Sequence, residues 1–336
     1  MRGLAWCNRK NCKYMFLNRF LLFAAVLAHS AAYAQETYPI KPVRLIVPYA
    51  AGGTTDIAGR LLGQRLTQKW KQSVVVDNRV GASGSIGAAV VARSAPDGYT
   101  LVLGGGASHG AYELINPKLA PYNSQRDFTP LSLLTFIRYV LVTHPSLPVR
   151  TAKELVELSK AQPGKLNYGS SAIGSAPHMA AELFKLTTGI DMVHVPYNGA
   201  GPAMAALLGG NIQVMFASAP TTAQQWKAGK LRALGTASSA RASQIPEIPT
   251  LAEAGIAGVE MDSWSGVLGP AGMVRALVTR LNNDIVKSVD GEDTREAFAK
   301  LGFERATSTP EAMAEFMRKE RERVARIVKH AGIKGE

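Results

Sequence analysis

The sequence predicts an α/β protein of about two domains. Two observations carry this expectation. Short β-branched and apolar runs alternate with longer helical stretches along the chain, the pattern of strands joined by helices into parallel layers. The chain is also long enough. Setting aside an N-terminal segment of 34 residues leaves 302 of 336, about twice an ordinary domain and ample for a buried core.

The candidate strands are 43–47, 73–76, 100–103, 140–143, 166–168, 192–195, 212–216 and 231–236. Helix starts carry separate signals. Thr151-x-x-Glu154 and Thr250-x-x-Glu253 read as capping boxes, in which side chains satisfy free first-turn N–H groups. Pro177, Pro202 and Pro310 fall where a proline in the first turn costs nothing. Gly209-Gly210 and Gly332 read as C-terminal stops. The last helix, 310–331, aligns Met313, Phe316, Met317, Val324, Ile327, Val328 and Ala331 as the apolar stripe of a packed surface helix. No flexible linker marks a domain boundary. The segments 144-HPSLPVR-150 and 260-EMDSWSGVLGP-270 are the expected crossings of a chain that leaves one domain, builds a second and returns.

The N-terminal segment predicts export. Arg2, Arg9, Lys10, Lys13 and Arg19 precede an apolar run at 20–28 and then Ala32-Tyr33-Ala34, a signal-peptide pattern with cleavage at Ala34-Gln35. The run falls short of the about 20 residues a membrane span needs. Both cysteines, Cys7 and Cys12, precede that cleavage point. The mature chain therefore has no thiol for a nucleophile, an Fe–S cluster, a metal site or a disulfide. Removing the five charges leaves 33 Lys and Arg against 25 Asp and Glu. That excess suits solubility or an acidic ligand. The densest basic run, 318-RKERER-323, mixes signs on a helix face without aromatic platforms, so no nucleic-acid partner is expected.

Chemistry concentrates in glycine loops. Pro48–Thr55 follows a strand and precedes a helix, with Gly52-Gly53 open to close approach and Thr54 or Thr55 able to cap. Free N–H donors and the helix dipole favour an anion there, although an ordinary capped turn has the same grammar. The pattern recurs at 166-LNYGSSAIGSAPHMAAELF-184, where Ser170, Ser171 and Ser175 add neutral hydroxyls, and at 192-MVHVPYNGAGPAMAALLGG-210, with Tyr197 and Asn198. A fourth loop, 100-TLVLGGGASHG-110, carries Ser108 and His109. Such loops at strand C-termini converge on one crevice in α/β sheets.

Enzyme motifs compete weakly. The run 81-GASGSIG-87 resembles a dinucleotide turn, but four residues separate it from its strand and no acid closes the next one. The run 106-GASHG-110 is formally G-x-S-x-G. It keeps a secreted serine hydrolase using Ser108 as an alternative, although the following segment makes a poor helix to orient a nucleophile. The histidines show no metal-binding spacing, so neither metal nor cofactor is expected. Asp56 falls in a helix first turn, where dipole compensation explains it. Many neutral donors and few acids or bases describe a receptor for small anions better than a catalyst.

The segments 38-YPIKPVRLIVPYAAGGTTD-56, 74-VVVDNRVGASGSIGA-88, 95-APDGYTLVLG-104, 163-PGKLNYGSSAIGSAPHMAAELF-184, 193-VHVPYNGAGPAMAALLGG-210 and 246-PEIPTLAEAG-255 resemble, in order and spacing, the Bug-type extracytoplasmic solute receptors of tripartite tricarboxylate transporters. The resemblance implies a two-domain Venus-flytrap of the type II periplasmic binding class with two hinge crossings. Domain 1 would hold 35–136 and 261–336, and domain 2 would hold 137–260. It implies a non-enzymatic, monomeric periplasmic receptor that delivers a small organic anion, a carboxylate or dicarboxylate, to a membrane permease. The same cleft would also serve a sensor docking on a membrane signalling partner. Carried over by position, the first pincer includes Tyr49, Ala51, Gly53, Thr54, Thr55 and Asp56, and the second Ser170, Ser171, Gly174 and Ser175. Ser108, His109 and Tyr197 match further cleft positions. Ala217 and Ser218 stand where relatives often carry an Asp that can face a ligand ammonium. Ala50-Ala51 replaces a usual Pro-Pro, and Ser265 replaces an aromatic after Trp264, which is expected to widen the cleft.

Overall fold

The computed structural model describes residues 38–335, so the expected export signal and its cleavage point lie outside the described residues. Every helix and strand below falls in the unit that begins at Val43. The chain runs through β1 (Val43–Val47), α1 (Thr54–Trp70), β2 (Val74–Asn78), α2 (Ser85–Ala92), β3 (Thr100–Gly105), α3 (Tyr112–Ile115) and β4 (Phe128–Ile137). It continues with β5 (Tyr139–Thr143), α4 (Ala152–Ala161), β6 (Asn167–Ser170), α5 (Ala176–Thr188), β7 (Val193–Pro196), α6 (Ala200–Leu208), β8 (Val214–Ser218), α7 (Ala219–Lys227) and β9 (Arg232–Thr236). It closes with β10 (Ser263–Pro270), α8 (Arg275–Ser288), α9 (Glu292–Lys300), β11 (Glu304–Arg305) and α10 (Pro310–Ala331).

The strands form two sheets, ordered β11-β4-β10-β3-β1-β2 and β7-β6-β8-β5-β9. β1 pairs in parallel with β2 and β3, and β6 with β7 and β8. A reversed strand interrupts each layer, and the short edge strand β11 also runs antiparallel to β4. β10 runs antiparallel to β3 and β4, and β5 to β8 and β9. The architecture is therefore α/β with two lobes, and the chain passes between them twice.

Two expectations from the sequence need correction, and one strand was missed. The proline-bounded segment 144–150 is no crossing, because β5 before it already belongs to the second sheet. It is a turn, with Leu147 N–H on His144 O at 3.1 Å, that leads into α4. The segment 260–270 crosses only at its start, since Ser263–Pro270 is a buried strand at the centre of the first sheet. Its glycines hide it from a propensity reading. β4 was hidden in the same way by Pro130, which pairs with Leu268 beside a register shift, one of the few places a strand tolerates proline.

Gly266 shows why the glycines in β10 are needed. A Cβ there would come within 2.6 Å of Met313 Cε, 3.0 Å of Ser132 O and 3.3 Å of Leu133 Cα. Two of those neighbours are backbone and cannot turn aside. Gly266→Ala is expected to lose about 1–3 kcal/mol by overpacking, read as a lower urea midpoint at unchanged slope. A loss under about 0.5 kcal/mol would mean that the sheet gives way locally.

Local signals fared unevenly. Glu154 N–H donates to Thr151 Oγ1 at 3.1 Å, but the Glu154 carboxylate turns to Arg150 N–H at 2.6 Å. Thr250 and Glu253 close a full reciprocal box, at 2.7 and 3.0 Å, on a turn that Gly255 ends at φ +86°. Pro177, Pro202 and Pro310 all lie in helix first turns, and Gly332 caps α10 at φ 61°. The stripe of α10 is shared between the lobes. Met313 and Met317 enter the first-lobe core beside Phe128 and Trp264, whereas Val324 and Ile327 enter the second-lobe core beside Leu141 and Phe184. Twenty-two residues give about 33 Å of helix, enough to reach both.

Candidate functional site

A cavity of about 410 Å³ opens between loops of both lobes. Tyr49, Gly53, Thr54 and Thr55 line it from the first lobe, and Ser171, Gly174 and Ser175 from the second. Tyr139, Met261 and Asp262 close it where the chain crosses.

The first wall is the turn from β1 into α1. Gly52 takes φ +78°, a left-handed conformation that suits glycine. The N-cap of α1 is Gly53, without a side-chain cap. Neither Thr54 nor Thr55 therefore spends its hydroxyl on capping, contrary to the sequence reading, and the first-turn N–H groups have no intrahelical partner. Asp56 does more than balance the dipole. Its carboxylate, 2% exposed, accepts from Gly52 N–H at 2.8 Å, Arg60 Nε at 2.9 Å and Asn78 Nδ2 at 2.9 Å. Asn78 Nδ2 also donates to Tyr49 O at 3.0 Å. Burial would raise the Asp56 pKa, but these hydrogen bonds outweigh it and hold the group below its ordinary value. Asp56 is absent from the cavity wall and braces the loop from behind.

The second wall is the loop from β6 into α5. Ser175 is the N-cap, but its hydroxyl donates to Ala172 O at 2.7 Å. Gly174, at φ +76°, donates its N–H to His178 Nδ1 at 3.0 Å. That bond needs a neutral ring, and burial pushes the His178 pKa down to about 3. His178 stacks on His194 at 4.1 Å, and His194 Nε2 lies 2.7 Å from Ser170 Oγ. Both histidines support the loop through these contacts.

The remaining sequence candidates lie elsewhere. Ser108 is fully buried and His109 is 3% exposed, both on a π-helical turn, Ala107–Ala111, that meets the cavity through Ala107 and Ala111. Ser108 Oγ accepts from Tyr49 at 3.3 Å and lies 2.8 Å from His109 Nδ1. The imidazole packs against Tyr122 and Phe128, and burial pushes its pKa down to about 3. Its Nε2 has no partner among the described residues, so no acid orients it as a triad base requires. Tyr197 lines a second hollow of about 540 Å³ that shares Ala107, Ala111 and Gly174 with the first. Ala51 is exposed outside the wall. Ala217 is 1% exposed in the second-lobe core, and Ser218 caps α7 with its hydroxyl 2.8 Å from Thr221 Oγ1. Ser265 does not widen the cavity, because its hydroxyl bonds Thr135 at 2.7 Å across the sheet.

Several wall residues escaped the sequence reading, Tyr139, Met261 and Asp262 among them, and two more carry polar groups of note. Trp264 lines the cavity, and its indole N–H is buried without a partner among the described residues. Glu320 lines it from α10 and is 4% exposed. A signal for Glu320 was present. It continues the spacing of Met313, Phe316 and Met317 into Val324, yet the charged run around it reads as a solvated face. No group of three His, Cys, Asp or Glu among the described residues could hold a metal ion.

Two sheets of reversed-strand topology around an interlobe cleft define a two-domain α/β periplasmic binding protein, consistent with the type II arrangement. Residues 58–333 match the Tripartite tricarboxylate transporter family receptor, and the chain belongs to that family of periplasmic receptors. It is 36% identical to protein BugT of Bordetella pertussis (strain Tohama I), covering 93% of this chain and 96% of that protein. Among solved structures, Rpa4515 of R. palustris with adipate is 34% identical at a TM-score of 0.74, over 88% of this chain and 99% of that one. MatC (Rpa3494) from Rhodopseudomonas palustris with bound malate is 31% identical at 0.69, over 87% and 100%.

Proposed function

We propose that the chain captures a small carboxylate or dicarboxylate between its lobes and delivers it, unaltered, to the membrane permease of a tripartite tricarboxylate-type transporter. One observation carries the reading. The N-termini of two long helices, α1 and α5, bring Thr54, Thr55 and Ser175 to a single cavity whose wall holds no lysine or arginine. Helix N-termini and neutral N–H and O–H donors suit a carboxylate. Adipate and malate in the related structures support the same ligand class.

In this reading, Tyr49, Gly53, Thr54, Thr55, Ser171, Gly174 and Ser175 contact the ligand, and Asp56, Ser108, His109 and Ser170 hold their loops. Residues 35–136 with 261–336 make one domain and 137–260 the other, in a monomer exported to the periplasm by a cleaved signal peptide. A ligand bridging both walls favours the closed form by contacts that the open form lacks. No bond is made or broken, and the buried Ser108 gives no purchase to hydrolase chemistry.

Thermal unfolding tests the reading. A cognate acid at about 100 times its Kd adds about 2.7 kcal/mol, which is about 4 °C in Tm for a chain of this size. Silence across di- and tricarboxylates, aromatic acids and amino acids would sink it. A fluorophosphonate probe should leave Ser108 unlabelled.

A further inference from the structure

The cavity has two unlike ends. The helix N-termini present free backbone N–H donors. The wall built by β10 and α10 holds the unpartnered donor Trp264 Nε1–H and the Glu320 carboxyl, beside Asp262 and Ser263. Trp264 and Glu320 are close. The Trp264 ring meets Phe316 at 5.5 Å, edge to face, and Phe316 is one helical turn before Glu320 on α10, about 6 Å along the axis. Both also pack against the same π-helical turn. A Cβ on Gly106 would lie 3.3 Å from Trp264 Nε1, and one on Gly110 would lie 4.0 Å from Glu320 Cγ.

We propose that Trp264 and Glu320 form a specificity-determining subsite that takes a hydroxyl on the carboxylate ligand, so that the cavity prefers hydroxy acids to their unsubstituted parents. This deepens the receptor reading and rests on it. A hydroxyl accepts and donates at once, so it can receive the indole N–H and give its proton to Glu320. A second carboxylate can only accept and would face an ionised Glu320 as a like group. An ammonium can only donate and would leave the indole N–H buried and unpaired, which is costly. Glu320 is not already committed. Among the described residues its carboxylate accepts from Arg323 Nη1 at 3.3 Å, and that atom also donates to Glu260 O at 2.6 Å. The neighbouring acid, Asp262, is held by Arg138 and Ser238.

Two matched sets test the subsite by titration calorimetry: succinate, malate and aspartate, then adipate, 2-hydroxyadipate and 2-aminoadipate. In the wild type the hydroxy acid of the set that fits should bind about tenfold tighter than its parent, about 1.4 kcal/mol, and tighter than the amino acid. Trp264→Phe and Glu320→Leu should each bring that preference, read as the ratio of the two affinities within one variant, below about threefold. Glu320→Gln, which keeps an acceptor, should retain part of it. A preference that survives in both Trp264→Phe and Glu320→Leu, or that is absent from the wild type, overturns the subsite and leaves the receptor reading intact. Binding of none of the six acids by the wild type overturns the subsite, while the broader thermal screen decides the receptor reading separately.

Discussion

Arg138→Met is expected to cost about 3–5 kcal/mol of stability. Arg138 lies between β4 and β5, where the chain first leaves one lobe for the other. Its guanidinium pairs with Asp262, at the second passage, and through Nε with Glu304 at 2.8 Å. The three side chains are only 13%, 14% and 18% exposed. Removing the cation strands two half-buried carboxylates, and breaking such a pair from one side costs far more than the pair is worth. Burial already pushes Asp262 up to about 6, with Arg138 opposing. Urea unfolding should show the loss, and a triple variant that also carries Asp262→Asn and Glu304→Gln should recover most of it. A single-variant loss under about 1 kcal/mol would mean that water reaches these acids freely.

Glu320→Gln is expected to stabilise the protein at alkaline pH. Burial raises the Glu320 carboxyl from 4.5 to about 7, with Asp262 across the crossing reinforcing the shift and Arg323 on its own helix opposing it. Between those values the folded chain binds a proton that the unfolded chain has lost. The stability this group contributes is thus complete below about pH 4.5 and disappears as pH rises through 7. Ionised and buried at pH 8, it costs about 3 kcal/mol. The glutamine variant has no such proton to lose. It should match the wild type near pH 4.5 and exceed it by up to about 3 kcal/mol at pH 8. Asp262 titrates in both proteins, and its coupling to Glu320 is part of the difference. Parallel pH profiles would show that Glu320 ionises without penalty.

The sequence by itself determined the α/β class, most strand cores and the last helix, because periodicity and capping act within a few residues of each other. The family came from long ordered motifs, and the loops that form both cavity walls came from their strand–glycine–helix grammar. Only the tertiary structure decided what those loops do. Thr54 and Thr55 are free because Gly53 is the cap, and Asp56 is occupied because Asn78 and Arg60 arrive from a neighbouring strand and the next helical turn. Ser108 beside His109 looks like chemistry in one dimension, and burial behind Tyr49 removes it from the cleft. β10 reads as loop because its glycines exist for neighbours far along the chain, such as Met313. Trp264 and Glu320 reach the cavity for the same reason: which face of a strand or helix meets a ligand is set by packing between elements, and no local spacing encodes it.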